Sequence, residues 1–275
     1  FLMQHVPLAA LLGDPNLCTR EEAVLIARKA CRMDRTFERQ MGNLLAGGIR
    51  LDCEQTLRLL TILESIGTTG GMLPILTGLL RHHNSKVRSK VALLMGRGKR
   101  NSAWVMTQMT EPDGRTRANA VESLWGLDGA EVVEVFLMAA QDPEPRVVVN
   151  AAVGLYRARQ TTAIEILMER SEDESAGFRR SACWGMGQTQ DPRFLPVLSK
   201  LIRDREPTVR SNALRASSAI RSRVTMLKRD PLKVYVRDAK VQGNGVRELH
   251  VSLRHGGGAT LPPLCPLAFL LEEDG

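Results

Sequence analysis

The chain has 275 residues, 43% hydrophobic but only 4% aromatic, and carries a formal net charge of +8. That is enough apolar material for a sizeable interior, of an aliphatic kind that suits close-packed helices. No stretch approaches the roughly 18–20 apolar residues of a membrane span. The five cysteines (Cys18, Cys31, Cys53, Cys183, Cys265) form no CxxC pair and no metal-like spacing with the five histidines, which argues against a disulfide framework.

The sequence opens on Phe1, and its apolar start lacks the basic leader and cleavage site of a signal peptide. The missing Met suggests a fragment or a processed product. Residues 1–52 are helical in pattern at Glu21–Met33 and Thr36–Leu45 but carry no repeat, and read as an irregular helical cap.

Residues 53–229 read as short helices in pairs. Glu54–Gly67 fits the pattern loosely. Met72–His82 and Lys86–Gly96 follow, then Ser102–Met109 with Thr116–Leu127, Ala130–Ala140 with Arg146–Arg157, Thr162–Arg170 with Phe178–Gly187, and Phe194–Arg203 with Thr208–Ile220. Asn84 and Ser85, the run Glu111-Pro112-Asp113-Gly114, and Asp191-Pro192 supply caps and turns between them.

The second helices repeat. Val87-Arg88, Thr116-Arg117, Val147-Val148, Phe178-Arg179 and Val209-Arg210 are spaced by 29, 31, 31 and 31 residues. Glu111, Asp142, Asp173 and Asp204 stand five residues before the last four. The first position of each helix and the ninth (Met95, Leu124, Leu155, Met186, Ser217) are mostly apolar. The fifth (Val91, Ala120, Ala151, Ala182, Ala213) is small, so one face can lie close to a partner helix. A single pair cannot hide that face, so the pairs must stack. The fold class expected is all-α, a right-handed α-solenoid with a short incomplete β segment at the C-terminal end.

Residues 230–275 change character. Leu232–Arg237 and Glu248–Arg254 alternate in the strand period, with Gly243-Asn244-Gly245 between them, and read as a partial β module.

The Asp…Val-Arg…Ala pattern, clearest in Asp204-Arg205-Glu206-Pro207-Thr208-Val209-Arg210-Ser211-Asn212-Ala213-Leu214, resembles HEAT-like repeats of the roughly 30-residue kind also seen in phycobilin lyases. The resemblance implies a solenoid whose second helices line the concave face. It also implies a ladder in which Arg88, Arg117, Arg179 and Arg210 pair with Glu111, Asp142, Asp173 and Asp204. Val148 replaces the Arg of the third repeat and His82 the acid of the first, so the ladder should break there. The end of the chain, Leu267-Ala268-Phe269-Leu270-Leu271-Glu272-Glu273-Asp274-Gly275, resembles the β segment that precedes von Willebrand factor A-type domains in some bacterial multidomain proteins, with Ala268 where the Asp of that pattern would stand.

Helical geometry turns positions four, seven and eleven of the second helices away from the core. The residues expected to bind a partner on the concave face are Lys90, Arg97, Asn119, Glu122, Asn150, Arg157, Trp184, Asn212 and Arg215, with Leu93 and Val153 in the same rows. Three Asn at one position suggest either a polar ladder gripping an extended peptide or hydrogen bonding between repeats. Trp184 is the candidate anchor. Nine basic residues against two acids in 81–117, and eight against two in 203–229, raise phosphate-backbone binding as an alternative.

Catalysis finds less support. Deoxyhypusine hydroxylases, which are HEAT-like, hold iron through His-Glu pairs, and none of His5, His82, His83, His250 or His255 precedes a Glu. Adjacent His82 and His83, read as helical, point in two directions. The expectation is a non-catalytic scaffold within a larger multidomain protein, binding a protein or peptide, with no cofactor and no metal. Nucleic-acid binding is the alternative, and a lyase-type accessory role rests on family analogy alone.

Overall fold

The computed structural model of the chain describes residues 18–34, 36–48, 51–67, 70–229, 233–241 and 247–254. Three helices come first: α1 (Arg20–Met33), α2 (Phe37–Asn43) and α3 (Cys53–Ile66). Five pairs follow: α4 (Leu73–Leu79) with α5 (Ser85–Lys99), α6 (Ser102–Gln108) with α7 (Gly114–Glu122), α8 (Ala130–Ala139) with α9 (Pro145–Arg157), α10 (Thr162–Ser171) with α11 (Ala176–Thr189), and α12 (Leu195–Leu201) with α13 (Pro207–Arg229). Strands β1 (Lys233–Val241) and β2 (Arg247–Arg254) pair antiparallel, with a register shift between Val236 and Asp238. The segment Leu267–Gly275 lies outside the described residues.

Local chemistry sets the helix starts. Asp52 and Gln55 close a reciprocal capping box on α3. Asn84, Asn101 and Asp113 accept backbone N–H groups at the starts of α5, α6 and α7. Four helices depart from the sequence expectation: α4 stops at Leu79 rather than His82, α13 runs to Arg229 rather than Ile220, and α7 and α12 are shorter than expected. α7 ends at Glu122 rather than near Leu127, because the chain turns through Gly126 and Gly129, both at positive φ. Pro192–Phe194 forms a 3-10 turn that leads into the shorter α12.

The chain divides into two compact units, Phe1–Gly154 and Leu155–Gly275. In the first, the second helices α3, α5 and α7 pack in a row, with α4 against α5 and α6 against α7 and α8. Leu59, Leu63, Leu76, Val87 and Leu94 fill its core, and Trp104 packs on it. In the second, α11 packs on α13, α10 on α11 and α12 on α13, with Leu167, Met186, Phe194, Leu198 and Val209 buried.

The small fifth position holds the layers together. Val91, Ala120, Ala151, Ala182 and Ala213 are all completely buried. The ninth position is buried in every repeat as well. Phe178, at a first position, is half-buried, with the Arg170 guanidinium 5.0 Å from its ring centre.

Candidate binding faces on the second helices

Two Arg–Asp rungs join successive repeats. Arg117 donates from Nε and Nη2 to the two oxygens of Asp142, 2.8 Å each, and from Nη1 to the carbonyls of Glu111 and Pro112. Arg179 does the same to Asp204, at 2.8 and 3.0 Å, and to the carbonyls of Asp173 and Glu174. The Arg179 hydrogen bonds hold the Asp204 carboxyl below the usual carboxylate range. Each fork therefore clamps the loop of its own repeat and reaches the acid of the next.

The outer members of the series differ. Among the described residues, Arg88 and Arg210 clamp only loop carbonyls, of His82 and His83 and of Asp204 and Arg205. Glu111 contributes its carbonyl, not its carboxylate, among the described residues. Val148 is fully buried, and Asp173 takes Arg170 of its own repeat at 3.3 Å instead.

In the first unit the expected binding face is largely closed on itself. Asn119 and Asn150 are buried rather than open to a groove. Asn119 Nδ2 donates to Ser89 O and Asn150 Nδ2 to Ala118 O, each at 2.8 Å and each crossing to the preceding second helix. The hydrogen-bonding alternative therefore describes these two. A helix in a stack has neighbours on its flanks as well as behind it, and position four sits on a flank. Leu93 and Val153 are buried too.

Lys90 and Arg97 both bind Glu64, Arg97 at 2.9 Å, and Arg97 also lies 3.7 Å from Glu122. Asn150 Nδ2 is 3.4 Å from Glu122 Oε2, and Arg146 donates to Asn119 Oδ1. Burial pushes the Glu122 carboxyl above its ordinary value, and the nearby Arg146 and Arg97 only partly offset this. A carboxylate with a raised pKa is held in the fold at a cost when ionised. Glu122→Gln should therefore raise the melting temperature at pH 7. The gain should vanish as the pH falls below the ordinary glutamate value, where both forms are neutral. Melts of the two proteins at pH 7 and pH 4 check this.

The second unit is more open. Trp184 on α11 is 37% exposed and Leu214 on α13 is 53% exposed. Arg215 follows Leu214, and Arg180 stands one turn before Trp184; both are exposed. Arg180, Arg215 and Arg221 have no carboxylate partner among the described residues. Along α13, Leu214, Ser217, Ser218, Arg221, Ser222 and Thr225 line, with Ile202, a cavity of about 550 Å³. Ser217 Oγ is buried with no hydrogen-bond partner among the described residues. Asn212 donates to Thr208 O within its own helix, and Arg157 is exposed in the last turn of α9.

The sequence reading did not single out Glu64, the hub of the charge network, because only the fold shows it facing Lys90 and Arg97. It placed Trp125 at a loop end; the indole Nε1 reaches the next second helix and donates to Asn150 O at 2.9 Å. His82, expected as the last residue of a helix over Met72–His82, lies with His83 in the loop between α4 and α5.

A profile of HEAT repeats matches residues 102–183 and 170–242, just over half of the chain. The chain belongs to the HEAT-repeat family. Solved structures resemble it at low identity. The CpcE–CpcF phycocyanin lyase complex from Nostoc is 14% identical over 81% of this chain and 96% of that one, with a TM-score of 0.42. The archaeal HEAT-like repeats protein from Thermococcus onnurineus is 14% identical over 80% and 98%, with a TM-score of 0.38. Human deoxyhypusine hydroxylase is 14% identical over 79% and 86%, with a TM-score of 0.37. No curated protein sequence matches the chain. No helix of this HEAT-repeat protein, among the described residues, is long and apolar enough to cross a membrane.

Proposed function

We propose that this HEAT-repeat chain is a non-catalytic scaffold that binds an extended segment of a partner protein along the second helices, chiefly on α11 and α13. The partner segment carries an apolar residue flanked by carboxylates. The observation that carries the reading is the exposed Trp184, on a helix whose buried face is already occupied by Ala182 and Met186. An aromatic that keeps 37% of its surface exposed on a rigid helix is suited to anchoring a ligand at small entropic cost. Arg180 and Arg215, without carboxylate partners among the described residues, favour an acidic partner.

The same comparison weighs against nucleic acid on the first unit. Lys90 and Arg97 are already paired with Glu64 and Glu122, so the basic run there is not an uninterrupted stripe.

Selection of binders from a displayed random-peptide library tests the reading. Peptides with an aliphatic or aromatic residue beside Asp or Glu should be enriched. They should fail to bind a Trp184→Ala/Arg215→Glu protein that keeps the wild-type circular dichroism spectrum. Enrichment without acidic residues that survives both substitutions would refute it. So would duplex DNA binding that falls steeply with salt while no peptide binds.

A further inference from the structure

At the first repeat the rung chemistry changes. Arg88 and Arg117 stand four residues after the helix caps Asn84 and Asp113. The residue four after Asp52, the cap of α3, is Thr56, and the acid it would meet is replaced by His82. Neither half of an Arg–Asp rung is present. Cys53, the first residue of α3, and the His82-His83 pair of the α4–α5 loop are brought together there instead.

Cys53 Sγ lies 3.2 Å from His83 Nε2. The two imidazoles stack with centroids 4.3 Å apart. One ligand atom from each of the three residues lies within 4.8 Å of the others. Zinc bonds of about 2.3 Å to sulfur and 2.0 Å to nitrogen put neighbouring ligand atoms of a tetrahedral site roughly 3.3–3.6 Å apart. Cys53 Sγ and His83 Nε2 are already at about that separation, and the His82 ligand atom lies within 4.8 Å of both. Cys53 and His82 are partly exposed and His83 exposed, so an ion can reach them.

We infer that Cys53, His82 and His83 form a binding site for a zinc-class divalent cation, tying the start of α3 to the α4–α5 loop. One thiolate and two imidazoles select zinc or a similar borderline metal over magnesium or calcium, which take oxygen ligands. The thiol proton is released on binding. Three protein ligands leave the fourth position to water. Arg88 orients the loop through the carbonyls of both histidines. In the regular repeats, Asp142 and Asp204 accept the N–H of the residue two further on; here His82 Nδ1 accepts that of Asn84 at 3.1 Å. Metal ligation has to outweigh the loss of that one bond. The site is separate from the α11–α13 face and does not depend on the function proposed for it.

The test is a titration of the reduced, chelator-treated full chain with Co2+, followed by displacement with Zn2+. A thiolate-to-cobalt absorption band should saturate at one equivalent and disappear on adding Zn2+, while excess Mg2+ leaves it unchanged. Cys53→Ser should abolish the band. His82→Asn, which can still accept the Asn84 N–H, should weaken binding at least tenfold, as should His83→Ala. Alkylation of the unsubstituted protein gives a readout that needs no variant. One equivalent of Zn2+ should slow labelling of Cys53 at least tenfold and leave Cys31 unaffected. Absence of the band in tenfold excess Co2+, its persistence in Cys53→Ser, or unchanged Cys53 labelling would each overturn the assignment.

Discussion

Asp191→Ala should cost about 3 kcal/mol of folding stability. The Asp191 carboxylate is completely buried. It accepts from Tyr156 Oη at 2.9 Å, from the Arg193 guanidinium at 2.6 and 3.0 Å, and from the Arg193 backbone N–H at 2.9 Å. One side chain thus caps the turn into α12 and ties it to the end of α9. Arg193 is partly open to water, at 38% exposure, which holds the figure near the low end for a broken buried pair. Burial alone would raise the Asp191 pKa, but the bonds from Arg193 and Tyr156 outweigh it, so the group titrates below its ordinary value of 3.8. A depressed carboxylate contributes stability that is complete above the unfolded-state value and is lost as pH falls through the folded one. Denaturant unfolding should therefore show the wild-type advantage over Asp191→Ala constant at pH 5–7 and shrinking below about pH 4. An equal advantage at pH 7 and pH 2.5 would contradict the assignment.

Gly96→Ala should destabilise the first unit by about 2 kcal/mol, although Ala is the better helix former. A Cβ at position 96 would fall 1.8 Å from Ser123 Oγ, 2.4 Å from Ser123 Cβ and 3.1 Å from the Trp104 ring. The nearest atoms belong to a short, buried side chain, so α5 and α7 would have to move apart. Ser123→Gly should recover most of the loss in the double variant, even though it weakens the protein alone. Chemical denaturation of the four proteins gives the coupling directly. Additive losses would mean that the two helices do not meet at this point.

The core face was legible because it depends on a single period. Positions one, five and nine of each second helix recur every 29–31 residues, and Ala at position five marks the side that must approach its partner. The outward rows were less legible, because a helix in a stack has flanks that face other repeats. Asn119 and Asn150 look polar and solvent-facing in the sequence, yet each spends its amide on a carbonyl of the preceding helix. Lys90 and Arg97 look like part of a free basic cluster until Glu64 is found between them. His82 reads as helical because the apolar pattern of 72–82 runs on past Leu79, where the helix stops. A signal was in view: His82 occupies an acid's place in the repeat register, and Cys53 opens α3, the second helix of the preceding unit.

Trp184→Ala, assayed for binding and for melting temperature together, tests the binding face most directly. If the exposed edge of Trp184 anchors the partner, affinity for a selected acidic peptide should fall at least tenfold while the melting temperature moves by no more than a degree or two. A fall of many degrees with affinity unchanged would make Trp184 part of the packing between helices, and the face on α11 and α13 would not be the binding site.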